Sequence, residues 1–205
     1  FNSSRNKKVA AWLNIKFGEV WWFYPSAASE EVDRYVVYNY IEKSWYYGNL
    51  SRTYGLGSGI GKFPLAVDDS GFIYYHEKGH DDGSETPAVA IESYIESSQL
   101  DIGDGERFTL LGPLVIPDVT FLDSDAENPS VNFIFKVRKE PGDNYYNTSS
   151  SAAIRSATAP VEQYTQQFKI RLRGRSFALR LESTTLGTTW RLGVPRIQVR
   201  QDGRR

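Results

Sequence analysis

Apolar and polar residues alternate along much of this chain. "AWLNIKF" (Ala11–Phe17) places Leu13, Ile15 and Phe17 at every second position, the period of a half-buried strand. "RYVVYNY" (Arg34–Tyr40), "FIYY" (Phe72–Tyr75), "VNFIFKV" (Val131–Val137) and "FKIRLR" (Phe168–Arg173) are rich in β-branched and aromatic residues. Those types suit a pleated, half-buried surface. The turn formers "DDSG", "HDDG", "GDG", "EPGDN" and "RGRS" punctuate the runs. No convincing amphipathic helix exceeds two turns. Short strands with frequent turns predict an all-β protein built as a sandwich, barrel or propeller.

A weak internal repeat adds detail. "DRYVVYNY" (Asp33–Tyr40) can be laid on "SGFIYYHE" (Ser70–Glu77) at a shift of 37 residues. Each copy follows an apolar run that ends in a turn, "WWFYPS" or "FPLAVDDS". A period near forty residues is that of propeller blades, which bury their faces only by stacking on one another. Residues 1–86 are therefore expected to form propeller-like blades at the end of a larger unit. Residues 87–205 lose the blade texture and are expected to form a β-sandwich or barrel. Within them "NTSSSAAIRSATAPVEQ" (Asn147–Gln163) reads as a long loop or arm.

Composition narrows the class. With 40% hydrophobic and 24% charged residues among 205, the chain has the balance of a globular protein. It has no run of eighteen or so apolar residues to span a membrane and no segment resembling a signal peptide. It has no cysteine, which excludes disulfide scaffolds and thiolate chemistry. It starts at Phe1 and lacks methionine, so it reads as the C-terminal part of a longer or processed chain. Charge is unevenly spread: residues 161–205 carry ten cations and three anions, the remainder 14 cations and 22 anions. A split of +7 against −8 favours complementarity between copies, or with a polyanion.

Candidate chemistry is sparse. "HEKGH" (His76–His80) matches H-E-x-x-H, which binds zinc when a helix sets both histidines on one face. Here the upstream run is strand-like and "DDG" follows. Residues four apart on a strand lie about 13 Å from each other, too far for one ion at about 2 Å per bond. A polar hairpin tip is the better description. "GLGSGIGK" (Gly55–Lys62) misses the phosphate-loop spacing, with Leu56 where the first glycine belongs and Phe63 after the lysine. "DSDAEN" (Asp123–Asn128) spaces its carboxylates as a calcium loop does, but Ile134 stands where the bidentate glutamate belongs. "DIGDGE" (Asp101–Glu106) matches still less. A glycosidase needs only two carboxylates, and nothing marks a pair among the 25 acids. No metal, cofactor or catalytic residue is assigned.

"KIRLRGRS" (Lys169–Ser176) is more informative. Lys169, Arg171 and Arg173 share one strand face, while Phe168, Ile170 and Leu172 face a core, and Arg175 extends the cluster around a turn. The plainer reading is a solvent face paired with acids of another strand or subunit. The other is a surface that tracks phosphates without reading bases.

"GEVWWFYPSAASEEVDRYVVYNYIEKSWYYGNLSRT" (Gly18–Thr53), "SGFIYYHEKG" (Ser70–Gly79), "VIPDV" (Val115–Val119) and "WRLGVPRIQVRQDGRR" (Trp190–Arg205) together resemble the C-terminal part of the nozzle, or tail-tube, proteins of short-tailed bacteriophages. These are also described as packaged-DNA stabilisation proteins. The resemblance implies a non-enzymatic virion protein, made in the cytoplasm of a bacterial host. Several copies, typically six, would form a ring below the portal and adaptor around a channel. That channel would retain double-stranded DNA non-specifically and pass it during ejection. On this reading Trp21, Trp22, Tyr24, Trp45 and Tyr47 fill blade interiors and subunit seams. Lys169, Arg171, Arg173 and Arg175 then line either the channel or a seam. The competing expectation is a carbohydrate-binding or glycan-cleaving β-protein, with indoles as sugar platforms.

Overall fold

The computed structural model describes residues 1–59, 61–84, 86–101, 106–140, 143 and 155–203. The protein is all-β: about half of it is strand, in several antiparallel sheets. Helical structure is limited, among the described residues, to a 3-10 stretch at Ser3–Lys8. Among those residues no helix is long and apolar enough to cross a membrane. The chain divides into two compact units, Phe1–Gly79 and His80–Arg205.

In the first unit, β1 (Ala10–Asn14), β2 (Glu19–Tyr24), β3 (Arg34–Asn39) and β4 (Ser44–Asn49) form an up-and-down sheet in chain order. A smaller sheet follows from β5 (Tyr54–Leu56), β6 (Leu65–Val67) and β7 (Ile73–Tyr75), again in order. The repeat noted in the sequence falls on the second and third strands of each sheet, β2 with β6 and β3 with β7, although β3 is central and β7 lies at an edge. Register explains the run of four aromatics. Trp12, Trp21, Val37 and Tyr46 lie in one row across the sheet, and Phe23 and Tyr35 in the next. Trp12, Trp21, Phe23, Val32 and Val37 form the unit's core with Tyr35 and Leu50 packed against it, and Trp12 and Trp21 stack at 5.7 Å. The apolar row recognised in the sequence is the other one. Leu13 is exposed, and Ile15 and Phe17 lie beyond β1 in the turn. The buried positions of β1 are Trp12 and Asn14.

The second unit opens with the pair β8 (Asp81–Asp82) and β9 (Val89–Ala90). β10 (Ser93–Glu96), β11 (Leu100–Asp101), β12 (Thr109–Ile116), β13 (Val119–Thr120) and β14 (Ser130–Arg138) come next. They are followed by β15 (Ser156–Glu162), β16 (Phe168–Lys169), β17 (Leu172–Gly174), β18 (Ser176–Ser183), β19 (Arg191–Leu192) and β20 (Arg196–Gln201). One sheet runs β10-β18-β14-β15, with β11 also on β18. In a second, β12 is central: β16 and β17 lie along one edge and β20 along the other. A third is the pair β13 and β19. A single core gathers Leu111 and Val115 from β12, Val131, Phe133, Phe135 and Val137 from β14, and Phe177, Leu179 and Leu181 from β18.

Two expectations change here. The stretch 147–163 is not wholly a loop: Ser156–Glu162 is β15, paired residue for residue with Ser130–Lys136. Small residues such as Ala157 and Ala159 form a strand once Phe135 and Phe133 lie beside them; residues 147–154 lie outside the described residues. Phe168–Arg173 is likewise not one continuous strand. β16 and β17 keep the same register on β12, but the ladder lapses opposite Gly112 and Pro113, where proline offers no N–H.

Candidate functional site

Two sheet faces and one buried polar cluster hold the residues singled out by sequence. The first face is the outer side of β1–β4. Strand alternation that sends Trp21 and Phe23 inward must send Trp22 and Tyr24 outward. Registers then set Leu13, Val20, Tyr38 and Trp45 in one outer row, and Ala11, Trp22, Val36 and Tyr47 in the next. Trp45 rests on Tyr38 at 4.6 Å between ring centroids and is stacked with Trp22 at 5.9 Å. Trp22 and Tyr24 are half-buried, but Trp45 is 62% and Tyr47 71% exposed. Of the five aromatics named from sequence, Trp21 alone belongs to the core.

Behind that sheet, at the polar end of its inner face, Asn14 and Glu19 are register partners and both are buried. Trp21 Nε1 donates to Glu19 Oε2 at 3.0 Å. Burial, then a hydrogen bond to Glu19, push the Tyr46 hydroxyl pKa well above its usual range. Asn14 Nδ2 donates to Glu77 Oε1 at 3.4 Å. Burial and then the Glu19 charge raise the Glu77 pKa, with Lys16 opposing. His76 of the H-E-x-x-H string stands against the edges of Trp12 and Trp21, and its Nε2 accepts from Arg52 Nε at 3.2 Å. His80 instead meets Thr189 Oγ1 at 2.8 Å and Asp125 at 3.5 Å. Among the described residues, no group of three or more histidine or acidic side chains is placed to hold a metal ion.

The other motifs serve turns and packing. Gly55 of "GLGSGIGK" faces the indole edge of Trp12, where a Cβ would collide; residue 60 of that motif lies outside the described residues. In "DSDAEN", the Asp125 and Ala126 N–H groups donate to the Gly187 carbonyl. In "DIGDGE", residues 102–105 lie outside the described residues.

The second face is the outer side of the β12 sheet. Ile170 is buried in the core and Phe168 and Leu172 pack against it, so Lys169, Arg171 and Arg173 point the other way. Lys169 pairs across to Leu114 and Arg173 to Leu110. On the far edge of β12, Leu110 pairs with Arg200 and Ile116 with Arg196. Cross-strand partners share a face, so Arg196 and Arg200 join the cluster. Their charges are plain in the sequence, but their place beside Lys169 and Arg171 is not. The signal was present in the alternation "RIQVR" (Arg196–Arg200), which repeats the pattern of "KIRLR".

Two members of the cluster are already neutralised. Arg173 pairs with Asp202 and lies over the Phe108 ring at 4.2 Å. A backbone hydrogen bond from Gly203, then the Arg173 guanidinium, hold the Asp202 carboxyl below its ordinary pKa. Arg175 is half-buried, 5.1 Å from the Phe108 ring centroid and 3.6 Å from Glu140. Lys169, Arg171, Arg196 and Arg200 are exposed. Among the described residues they make no salt bridge.

Compared with known proteins, the chain matches no family model and no curated relative.

Proposed function

We propose that this chain is a structural subunit of a bacteriophage tail, part of an oligomeric ring that surrounds a DNA channel. In this reading it belongs to the virion, next to portal, adaptor and other tail proteins, and performs no reaction of its own. What supports the reading, beside the resemblance in sequence, is the outer face of β1–β4. A sheet whose inner face already packs a full aromatic core carries a second apolar face, with Trp45 and Tyr47 largely in water. Contiguous exposed apolar surface of this kind marks an interaction site. Aromatic rings with polar tips are enriched where such surfaces become buried between proteins. A neighbouring blade or a neighbouring subunit would supply that cover. Native mass spectrometry of the purified chain tests it: a closed ring of several copies is expected, and a strict monomer at tens of micromolar would overturn the reading.

One observation favours a second reading. Trp45 presents an exposed indole stacked with Trp22 and tilted against Tyr38, the geometry of a sugar platform. Quenching of tryptophan fluorescence by added oligosaccharide, in a chain that stays monomeric, would decide for a glycan-binding protein.

A further inference from the structure

We infer that the outer face of the β12 sheet is a docking surface for the phosphate backbone of duplex DNA, engaged by Lys169, Arg171, Arg196 and Arg200 irrespective of base sequence. The inference deepens the channel reading and rests on it only for the presence of a duplex beside the chain.

Three observations carry it. The first is how differently the strand cations of the second unit are paired; Arg107, Lys139 and Arg155, which lie outside its strands, make no salt bridge among the described residues. On the sheet built on β14 and β18, cations come with acids: Lys136 with Glu96 at 2.8 Å, and Arg180 with Glu92, Glu96 and Glu182. Arg191, on the β13–β19 pair, has Asp123. The β12 sheet contrasts with these. Asp202 answers Arg173 on that face and also feels the charge of Arg171, but Lys169, Arg171, Arg196 and Arg200 make no salt bridge among the described residues. Like charges gathered on one face repel and are retained at a cost, which an anionic ligand relieves.

The second observation is spacing. Alternate residues on a strand are about 7 Å apart, and two strand separations amount to about 10 Å. Lys169 and Arg171 therefore form one short row, and Arg196 and Arg200 form another across β12. Duplex DNA offers a phosphate every ~3.4 Å along each strand. A regular charge row of that kind can meet both lines of cations. Acids in turns, such as Asp118 and Asp125, offer no such row.

The third is the strip between the rows. Leu110, Leu114 and Ile116 form an apolar strip with no acid on it, so no carboxylate there competes for the flanking cations. Lysine and arginine contacts to phosphates position a duplex but carry no base information. Binding should therefore be insensitive to sequence.

The test is fluorescence anisotropy of the full chain with a labelled 30-base-pair duplex of arbitrary sequence, at 50 and 200 mM salt. Four phosphate contacts give a slope of about −3.6 in log K against log salt, so affinity should fall about 150-fold over that range. The double variant Arg171→Gln/Arg200→Gln should lower the slope to about −1.8, a fall of about 12-fold. Arg191→Gln, outside the face, should leave the slope unchanged. Circular dichroism melting, unchanged in all variants, shows that the exposed substitutions do not act through folding. Absence of duplex binding, or an equal effect of Arg191→Gln, overturns the inference. So does a double variant that binds the duplex normally but fails to assemble, because the face would then be a seam between copies. Native mass measured on the same samples separates the two ideas. A ring that ignores DNA leaves the ring and removes the docking face; a monomer that binds DNA does the reverse.

Discussion

The carboxylates of the first unit show how one residue's surroundings set its behaviour. Asp33 accepts from the Ser26 backbone N–H at 2.6 Å and from its hydroxyl at 2.7 Å. Burial alone would raise its pKa, but the two Ser26 hydrogen bonds and Arg34 outweigh it and hold the pKa below the usual 3.8. A carboxyl with a lowered folded-state pKa adds stability above its ordinary pKa, and loses it as pH falls through the lowered value. Asp33→Asn should therefore cost about 1 kcal/mol at pH 7 and progressively less in acid, read as urea midpoints across pH. Glu77 has the opposite sign. Burial and Glu19 raise its folded-state pKa. Its contribution is fullest in acid and is lost as pH climbs through that raised value. Glu77→Gln should remove this loss, so the variant gains on the parent as pH rises from acid towards neutrality. A parent that gains on the variant instead would show that Glu77 is held as a stabilising carboxylate.

Elements are decided by what lies beside them. The central strand β12 serves three partners, and its register to β20 shifts between Leu111 and Val115. Such an irregularity needs a residue that can bend, and Gly112 supplies it with φ of 99°. Gly112 also lies against the carbonyl of Ile170, so an added Cβ would collide with backbone. Gly112→Ala combines left-handed strain with a clash that no side chain can relieve. The expected loss is about 3 kcal/mol or more, seen as a fall in denaturation midpoint. A loss below about 1 kcal/mol would mean that β12 bends elsewhere. The same strand explains why β16 and β17 are separate although their cations stay on one side: the ladder lapses and the register does not.

For the whole molecule, the sequence's charge split is largely folded into one unit. Cations after residue 161 reach acids before it, as in Arg175–Glu140, Arg180–Glu96 and Arg191–Asp123. The asymmetry is therefore not a basic end facing an acidic end, and among the described residues after 161 the cations without a salt bridge lie on the β12 face. Assembly should depend more on aromatics than on net charge. Trp45→Ala/Tyr47→Ala removes two exposed rings that support little of the core. Its melting temperature is expected to stay within about 3 °C of the parent, since surface substitutions of this kind rarely exceed 0.5 kcal/mol. Its native mass is expected to drop to the monomer. An intact ring in this variant would place the seam elsewhere. Trp21→Ala, by contrast, opens the core and reports on folding rather than on assembly.

Alternation and turn composition were enough to establish an all-β chain, several of its strands, and the outward row Lys169–Arg171–Arg173, because a period of two is local and survives in any sheet. Local pattern could not say which of two apolar rows is buried. Leu13 and Trp12 both qualify, and only packing against Trp21 and Phe23 chose Trp12. Nor could it show that Ala157 and Ala159 form a strand, that Arg196 and Arg200 join a face nearly thirty residues away, or that His76 and His80 take separate partners. Each of these depends on pairing between distant segments, and that pairing is settled by register and burial, which exist only in the folded chain.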